Sequence, residues 1–150
     1  MTPIEIKMIE TLEILKSEFK VEYVKAEFEA EGTRTDDLMR LLDVINKSGI
    51  KLAIKIGGCE AIRDLLECKL LGIDRIIGPM IETPYSLIKF SKALKHVYSD
   101  QELEKINSLV NLETITSFNN LSSIASEINN SKIIKGFVFG RTDFCGSLGL

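Results

Sequence analysis

Ionisable side chains recur at or near the ends of the short apolar segments of this chain, where an α/β protein carries its chemistry. The set comprises Glu29, Glu31, Lys55, Glu82, Glu113 and Asp143. Glu113 and Asp143 follow the last two apolar segments, and two carboxylates from neighbouring strand ends can hold Mg²⁺ or Mn²⁺ through oxygen ligands. Water and substrate would fill the other positions around the cation. The pattern is therefore compatible with a small-molecule site that holds a hard divalent cation, although a lone carboxylate pair is weak evidence for one.

Each of these side chains also has a purely structural interpretation. Acids at strand ends can cap the helices that follow, and Glu82, which precedes a Thr-Pro pair, fits that role best. For Glu113 and Asp143, the residues alone favour neither interpretation. Lys55 lies in an apolar strand and either reaches outward to water or points into a polar centre, because burying an ammonium without a partner is costly.

The single histidine and the three cysteines form no recognisable metal or redox motif. His96 lies among lysines near the end of a helical segment, so we expect it at the surface. Cys59, Cys68 and Cys145 are odd in number and widely spaced, without a CxxC pair, which argues against a disulfide framework or a structural zinc site. We expect a packing role for Cys145 and a reducing, cytosolic compartment for the protein.

The apolar segments that position these residues have the length of buried strands and alternate with helical patterns. Strands are predicted over residues 21 to 30, 51 to 58, 74 to 81, 107 to 114 and 133 to 140. Helices are predicted over residues 3 to 19, 35 to 49, 59 to 72, 84 to 98 and 118 to 131.

This alternation predicts parallel strands joined by right-handed crossovers, hence an α/β fold. Thr35 or Asp36 is expected to cap the second helix, and Gly49 to end it. The pattern alone leaves open whether five such strands make an open doubly wound sheet or part of an eight-stranded barrel.

Composition limits the classes of partner. With 150 residues, 45% of them hydrophobic, the chain is long enough for one core, so we expect a single domain over residues 1 to 150. Nineteen basic and 22 acidic residues give a net charge of −3 without a basic stripe, which argues against nucleic-acid binding. No apolar stretch approaches the roughly 18 residues of a membrane span. The sequence predicts a soluble, cytoplasmic protein with a small-molecule partner.

Five motifs occur in order from about residue 21 to the end. Each resembles a motif of one enzyme family. At the C-terminal end, "LET" resembles a strand that ends in I-E-T, "SIASEI" resembles an "eIA" segment, and "FGRTDFCGSLG" resembles the motif F-G-x-x-D-L-x-x-x-L-G. Upstream, "DRIIGPMIETPYSL" matches a strand with P-M-V-E-T, "KLAIKIGG" a strand with V-R-x-P or R-x-N, and "EFEAEGTRTDDL" a D-x-E-H segment. With these motifs the chain resembles the HpcH/HpaI aldolase and citrate lyase β-subunit family of metal-dependent TIM barrels.

The resemblance implies that Glu113 and Asp143 are ligands of Mg²⁺ or Mn²⁺. In this family the metal is chelated by the keto and carboxylate oxygens of pyruvate or an equivalent acid, and backbone N–H groups hold the carboxylate. Those groups would here belong to Gly140, Arg141 and Thr142. A divalent cation beside the developing enolate oxygen stabilises it as a Lewis acid. The resemblance further implies a homo-oligomer that acts on a free oxo acid or an acyl-CoA.

Two positions depart from the family pattern. Lys55 aligns with the second-strand arginine that supports the enolate oxygen, and a lysine keeps the charge but loses the planar bidentate fork. Gly32 stands where the aldolases have a histidine that helps proton transfer. Glu29 and Glu31 remain, beside Lys55, as catalytic candidates that could position water or accept a proton.

Three functional hypotheses follow. The first is a metal-dependent carbon–carbon lyase or aldolase that acts through an enolate. The second is a non-catalytic relative that keeps the fold and a ligand pocket as a binding or assembly protein. The third is a phosphate-binding protein, because "IGGCEAIRDL" places a glycine pair before a helix N-terminus, although the Walker lysine and the G-x-G-x-x-G spacing are missing.

The resemblance also sets an expectation for the architecture. A TIM barrel needs eight strands and about 250 residues, whereas this sequence predicts five strands and an N-terminal helix. We therefore expect an incomplete barrel of (β/α) repeats, truncated after the fifth strand, whose closing wall is not encoded in this chain.

Overall fold

The computed structural model describes residues 1–150 and contains five strands and eight helices. The strands are β1 (Tyr23–Glu27), β2 (Lys51–Lys55), β3 (Arg75–Gly78), β4 (Asn107–Leu112) and β5 (Ile134–Phe139). The helices are α1 (Pro3–Phe19), α2 (Thr35–Ser48), α3 (Ile62–Leu70), α4 (Pro84–Val97), α5 (Asp100–Lys105), α6 (Ile115–Asn119), α7 (Leu121–Ser131) and α8 (Arg141–Ser147). None of them combines the length and the apolar character needed to cross a bilayer.

All five strands are parallel and lie in one sheet in the order β1-β2-β3-β4-β5. This sequential order is that of a barrel wound in one direction, since a doubly wound sheet reverses its order at a switch point. The sheet is not closed, because β1 pairs only with β2 and β5 only with β4. The prediction of an incomplete (β/α) barrel with an N-terminal helix is confirmed.

The two faces of the sheet differ in what they contact. The core face, defined by Ala26, Ile54, Ile76 and Val110, belongs to a cluster of 24 buried residues that includes Leu65 and Phe90 from the helices. Successive side chains of a strand point to opposite faces.

The opposite, or site, face is defined by Glu27, Lys55, Ile77 and Leu109, which are cross-strand neighbours in the register. Ile77 is buried but lies outside the 24-residue cluster. The charged residues of β1 and β2 thus share one face, and the apolar core occupies the other.

Helix ends show where local sequence signals act. A capping box joins Thr2 and Glu5 at the start of α1. The prediction that Thr35 or Asp36 caps α2 is wrong, because the N-cap is Arg34 and no side chain bonds the free N–H groups there. Gly49 ends α2 as predicted, with a φ of 67° that glycine adopts without a steric penalty.

Three short helices, α5, α6 and α8, were not predicted, because they lack the apolar periodicity of the longer ones. The last of them matters for the site, since α8 begins at Arg141 and places Asp143 in its first turn. The ring of Phe144 lies between Phe139 of β5, at 5.1 Å, and Phe118 of α6, at 6.0 Å. These contacts pack α8 against the end of the sheet.

Candidate active site

Glu113 lies directly after β4, at the carboxyl end of the sheet, and its side chain is 1% exposed. Its Oε1 accepts a hydrogen bond from the backbone N–H of Met80 at 2.8 Å, and its Oε2 accepts one from Asn111 Nδ2 at 2.6 Å. A buried carboxylate needs such donors, because removing it from water is costly. The two bonds fix Glu113 between the ends of β3 and β4.

Met80 has an unusual backbone conformation at this point. Its φ is +49°, in the left-handed region that residues other than glycine rarely adopt. This conformation accompanies the donation of its N–H to Glu113. Backbone strain of this kind concentrates at functional sites and persists only where the surrounding contacts impose it.

Lys55 points into this polar centre and does not reach outward to bulk water. Its Nζ lies 3.0 Å from Glu27 Oε2 and 3.8 Å from Glu113 Oε2, and its side chain is 12% exposed. Glu27 faces Lys55 directly across the β1–β2 pair and also bonds the ammonium of Lys25. Side chains from β1, β2 and the end of β4 thus form a continuous chain of alternating charge.

Both members of the Glu27–Lys55 pair are held in their charged forms. Burial alone would raise the pKa of Glu27, but the hydrogen bonds from Lys25 and Lys55 outweigh it and hold that pKa below its usual range. Burial alone would lower the pKa of Lys55, but the hydrogen bond to Glu27 and the negative charges of Glu113 and Asp143 raise it instead. At neutral pH the site therefore contains a fixed cation.

The residues expected to bind substrate lie at the start of α8. Gly140 is the N-cap, and Arg141 and Thr142 begin the helix, where backbone N–H groups have no intrahelical partner. A Cβ on Gly140 would come within 2.7 Å of Glu113 Cβ, so only glycine lets this backbone approach Glu113 so closely. Asp143 is exposed, in the first turn of the helix.

Glu29 and Glu31 lie beyond the end of β1 and are both exposed. The Glu31 carboxylate accepts a hydrogen bond from the Glu27 backbone N–H at 3.3 Å. The backbone N–H of Phe28 donates to the carbonyl of Lys55 in β2. Because successive N–H groups of a strand point in opposite directions, the N–H of Glu27 points to the unpaired edge of β1. The Glu29 side chain packs against Gly57 at the end of β2. In this structure Glu31 caps a strand edge, and neither carboxylate contacts Lys55.

The donor atoms present fit a small hard cation. No three acidic, histidine or cysteine side chains cluster as a complete metal site, so a cation here would be held by Glu113 and Asp143 together with water and substrate. Asn111 Oδ1 is buried without a hydrogen-bond partner beside Glu113, which leaves an oxygen acceptor unsatisfied. Carboxylate and amide oxygens are ligands that Mg²⁺ and Mn²⁺ accept.

Two other sequence hypotheses concern a helix cap at Glu82 and a phosphate site at the glycine pair after β2. The prediction that Glu82 caps α4 is wrong, since Thr83 forms the cap and Glu82 accepts a hydrogen bond from Thr114 at 2.7 Å. At the glycine pair after β2, the Gly57 N–H already donates to the Asp64 carboxylate at 2.7 Å. An internal carboxylate therefore occupies the place that a bound phosphate would need.

Solved structures share this fold. Citrate synthase SbnG matches with a TM-score of 0.73 and 16% sequence identity, over 94% of this chain and 60% of that chain. An HpcH/HpaI aldolase/citrate lyase family protein from Burkholderia cenocepacia J2315 matches with a TM-score of 0.73 and 14% identity, over 94% and 63%. The fold is similar to that of the HpcH/HpaI aldolases. RipC from Yersinia pestis also matches, with a TM-score of 0.58 and 18% identity, over 85% and 56%.

The resemblance inferred from the five sequence motifs is thus confirmed at the level of the fold. No protein-family model and no curated protein sequence matches the chain. The chain spans about 60% of the length of citrate synthase SbnG and of the Burkholderia protein. Since the identities are 14% to 18%, the likeness establishes the fold, and the chemistry must be argued from the residues of this chain.

Sequence reasoning missed three residues of the site. Glu27 had a signal, because Lys25, Glu27 and Lys55 place charges on one face of strands that are otherwise apolar. Asn111 had a weaker one, as an amide two residues before Glu113 on the same face of β4. The part played by Met80 depends on its φ angle, for which the sequence carries no signal.

Proposed function

We propose that this protein is a metal-dependent carbon–carbon lyase or aldolase that acts through an enolate of pyruvate or a related acid. The observation that supports the proposal most is Glu113, a buried carboxylate at the carboxyl end of the sheet, with the ammonium of Lys55 3.8 Å away. The likeness in fold to an HpcH/HpaI aldolase supports the same class of chemistry.

Each residue has a definite role in this proposal. Glu113 and Asp143 would hold Mg²⁺ or Mn²⁺, which when bound supplies Lewis-acid stabilisation of the enolate oxygen. Lys55 would add a fixed positive charge to the site, in a position shielded from water where electrostatic stabilisation is strong. The backbone of Gly140 approaches Glu113 closely, and the N–H groups of the following residues would bind a substrate carboxylate.

The substrate class is a small oxo acid, free or as a CoA thioester. The site lies on one side of an unclosed sheet. The parts of the substrate beyond its reacting carbons would therefore contact residues other than the site residues named above. Proton transfer must come from water or from Glu29 or Glu31, because Gly32 supplies no side chain where the aldolases have a histidine. We expect a homo-oligomer in solution.

The second candidate function is a non-catalytic ligand-binding or assembly protein. Gly32 favours it, since the position expected to carry the proton-transferring histidine has no side chain. The ion pair of Lys55 with Glu27 also favours this second function, because Glu27 already neutralises part of the positive charge of the Lys55 ammonium within the protein. Such a protein would bind an oxo acid without enolising it.

Exchange of the pyruvate methyl protons with deuterium distinguishes the two functions. Wild-type protein with Mg²⁺ or Mn²⁺ in D₂O is expected to lose the methyl signal in the proton NMR spectrum. Glu113→Gln and Asp143→Asn should each slow the exchange by about 100-fold or more, whereas Glu10→Gln, an exposed carboxylate on α1, should leave it unchanged. Exchange that is absent from the folded wild-type protein with either metal would refute the lyase proposal.

A further inference from the structure

Glu27, like Lys25, belongs to the ion-pair chain but contacts no proposed metal ligand. Its side chain is 8% exposed, and its two carboxylate oxygens contact the ammonium groups of Lys25 and Lys55. The Cα positions of Glu27 and Lys55 are paired in the register of β1 and β2. Glu27 is therefore built into the sheet as a partner for Lys55.

The carboxylates of Glu27 and Glu113 lie at different distances from the Lys55 ammonium. The distance from Lys55 Nζ is 3.0 Å to Glu27 Oε2 and 3.8 Å to Glu113 Oε2, and only the shorter one is within hydrogen-bonding distance. Glu113 already accepts bonds from Met80 and Asn111, whereas Glu27 has no neutral donor on either oxygen among its side-chain contacts. The ammonium of Lys55 thus lies closer to Glu27 than to Glu113.

We propose that Glu27 is a positioning residue that holds Lys55 apart from Glu113, so that Glu113 stays open to a cation and Lys55 to an anion. A direct Lys55–Glu113 ion pair would neutralise both groups and fill the space between them. The separation follows from the geometry alone, while the identity of the two ligands, a divalent cation and the carboxylate of an oxo acid, rests on the proposed function.

Glu27→Gln tests this role because the two possible explanations predict opposite changes in the affinity for an anion. If Glu27 acted only through its charge, removing a negative charge would strengthen the binding of an anion. If Glu27 positions Lys55, the ammonium moves to Glu113, the strongest acceptor left, and anion binding weakens. The expected distance from Lys55 Nζ to Glu113 Oε2 in a crystal structure of the variant is about 2.8 Å.

The binding measurement is calorimetry with oxalate and Mg²⁺, in which oxalate stands for the enolate of pyruvate. Glu27→Gln should weaken oxalate binding by about 10-fold, which corresponds to about 1.4 kcal/mol. Glu22→Gln is the matched control, since it removes the same charge from an exposed position just before β1, and it should leave the affinity unchanged. Unchanged or tighter binding by Glu27→Gln would overturn the positioning role.

The Lys55→Met background provides a second test. Without Lys55 there is nothing to position, so adding Glu27→Gln should leave oxalate affinity unchanged or slightly tighter. The double variant lacks both charges of the Glu27–Lys55 pair, so neither charge is left buried without its partner. It is therefore expected to fold even if Glu27→Gln alone or Lys55→Met alone does not. A further loss of affinity in the double variant would overturn the proposal, because Glu27 would then act on the ligand by itself.

The two proposals fail in different ways. Absence of oxalate binding by the wild-type protein would count against the proposed function. The crystal structure of Glu27→Gln still decides the positioning role in that case, because a Lys55 that stays 3.8 Å from Glu113 contradicts it whatever the ligand.

Discussion

The core face and the site face are built from the same strands and differ in almost every side chain. On the core face, Ile54 and Ile76 join a continuous apolar cluster with the helices. On the site face, the next residue of β2 is Lys55, which bonds Glu27 of β1. Because side chains alternate along a strand, a shift of one residue separates the region that stabilises the fold from the region that carries charge.

This difference shows how one short sheet serves two purposes. Parallel strands are usually apolar on both faces, since helices cover them or a barrel encloses them. Here, charge is placed on one face and is neutralised within the sheet by ion pairs that link Lys25, Glu27, Lys55 and Glu113. The core face can therefore be optimised for packing, and the site face can bear side chains that cost stability.

The largest expected effect comes from neighbouring isoleucines of β3 that lie on opposite faces. Ile76→Ala should lower the free energy of unfolding by about 2 to 5 kcal/mol, because Ile76 is fully buried in the apolar cluster. Ile77→Ala should cost less, because Ile77 lies outside that cluster. Urea unfolding of both variants measures the difference, and an equal or greater loss for Ile77→Ala would contradict the contrast between the faces.

A smaller effect is expected from the charged pair on the site face. Lys55→Met leaves Glu27 and Glu113 without this cation, and it should lower the free energy of unfolding at pH 7 by about 2 kcal/mol. This is less than for a fully buried pair, because both partners keep some exposure. Lys55→Arg, which keeps the charge, is the control.

The loss caused by Lys55→Met should depend on pH. The pKa of Glu27 is lowered in the folded protein, so the stability that its charge provides is present above its unfolded pKa of about 4.3 and is lost as the pH falls through the lower, folded pKa. The difference between wild type and variant should therefore shrink in acid. A difference that stays constant from pH 7 to pH 3 would show that the pair contributes no electrostatic stability.

The strands and the long helices were predictable because their signals are repetitive. Five apolar segments gave all five strands, and the helical spacing of apolar residues gave α1 with both of its ends. The short helix α8 was missed because seven residues offer little periodicity, so the place of Asp143 in a helical turn was not foreseen. Glu113 was predicted as a site residue because it combines a strand end with a motif, and its role as a metal ligand stays a prediction.

The contacts of the site were less predictable than its members. The bond from Met80 to Glu113 requires a left-handed backbone conformation that no residue pattern announces. The pairing of Glu27 with Lys55 depends on the β1–β2 register, which sets residues 28 positions apart side by side. The expected role of Glu31 in catalysis stays a prediction, while its hydrogen bond at the edge of β1 gives it a structural role that only the fold reveals.

A crystal structure of the wild-type protein soaked with Mg²⁺ and oxalate would show whether Glu113, Asp143 and Lys55 form one binding site. We predict one metal ion bound by a carboxylate oxygen of Glu113 and one of Asp143, with oxalate on that ion and within hydrogen-bond distance of Lys55. A metal ion bound elsewhere, or oxalate bound without contact to Glu113, Asp143 or Lys55, would contradict it.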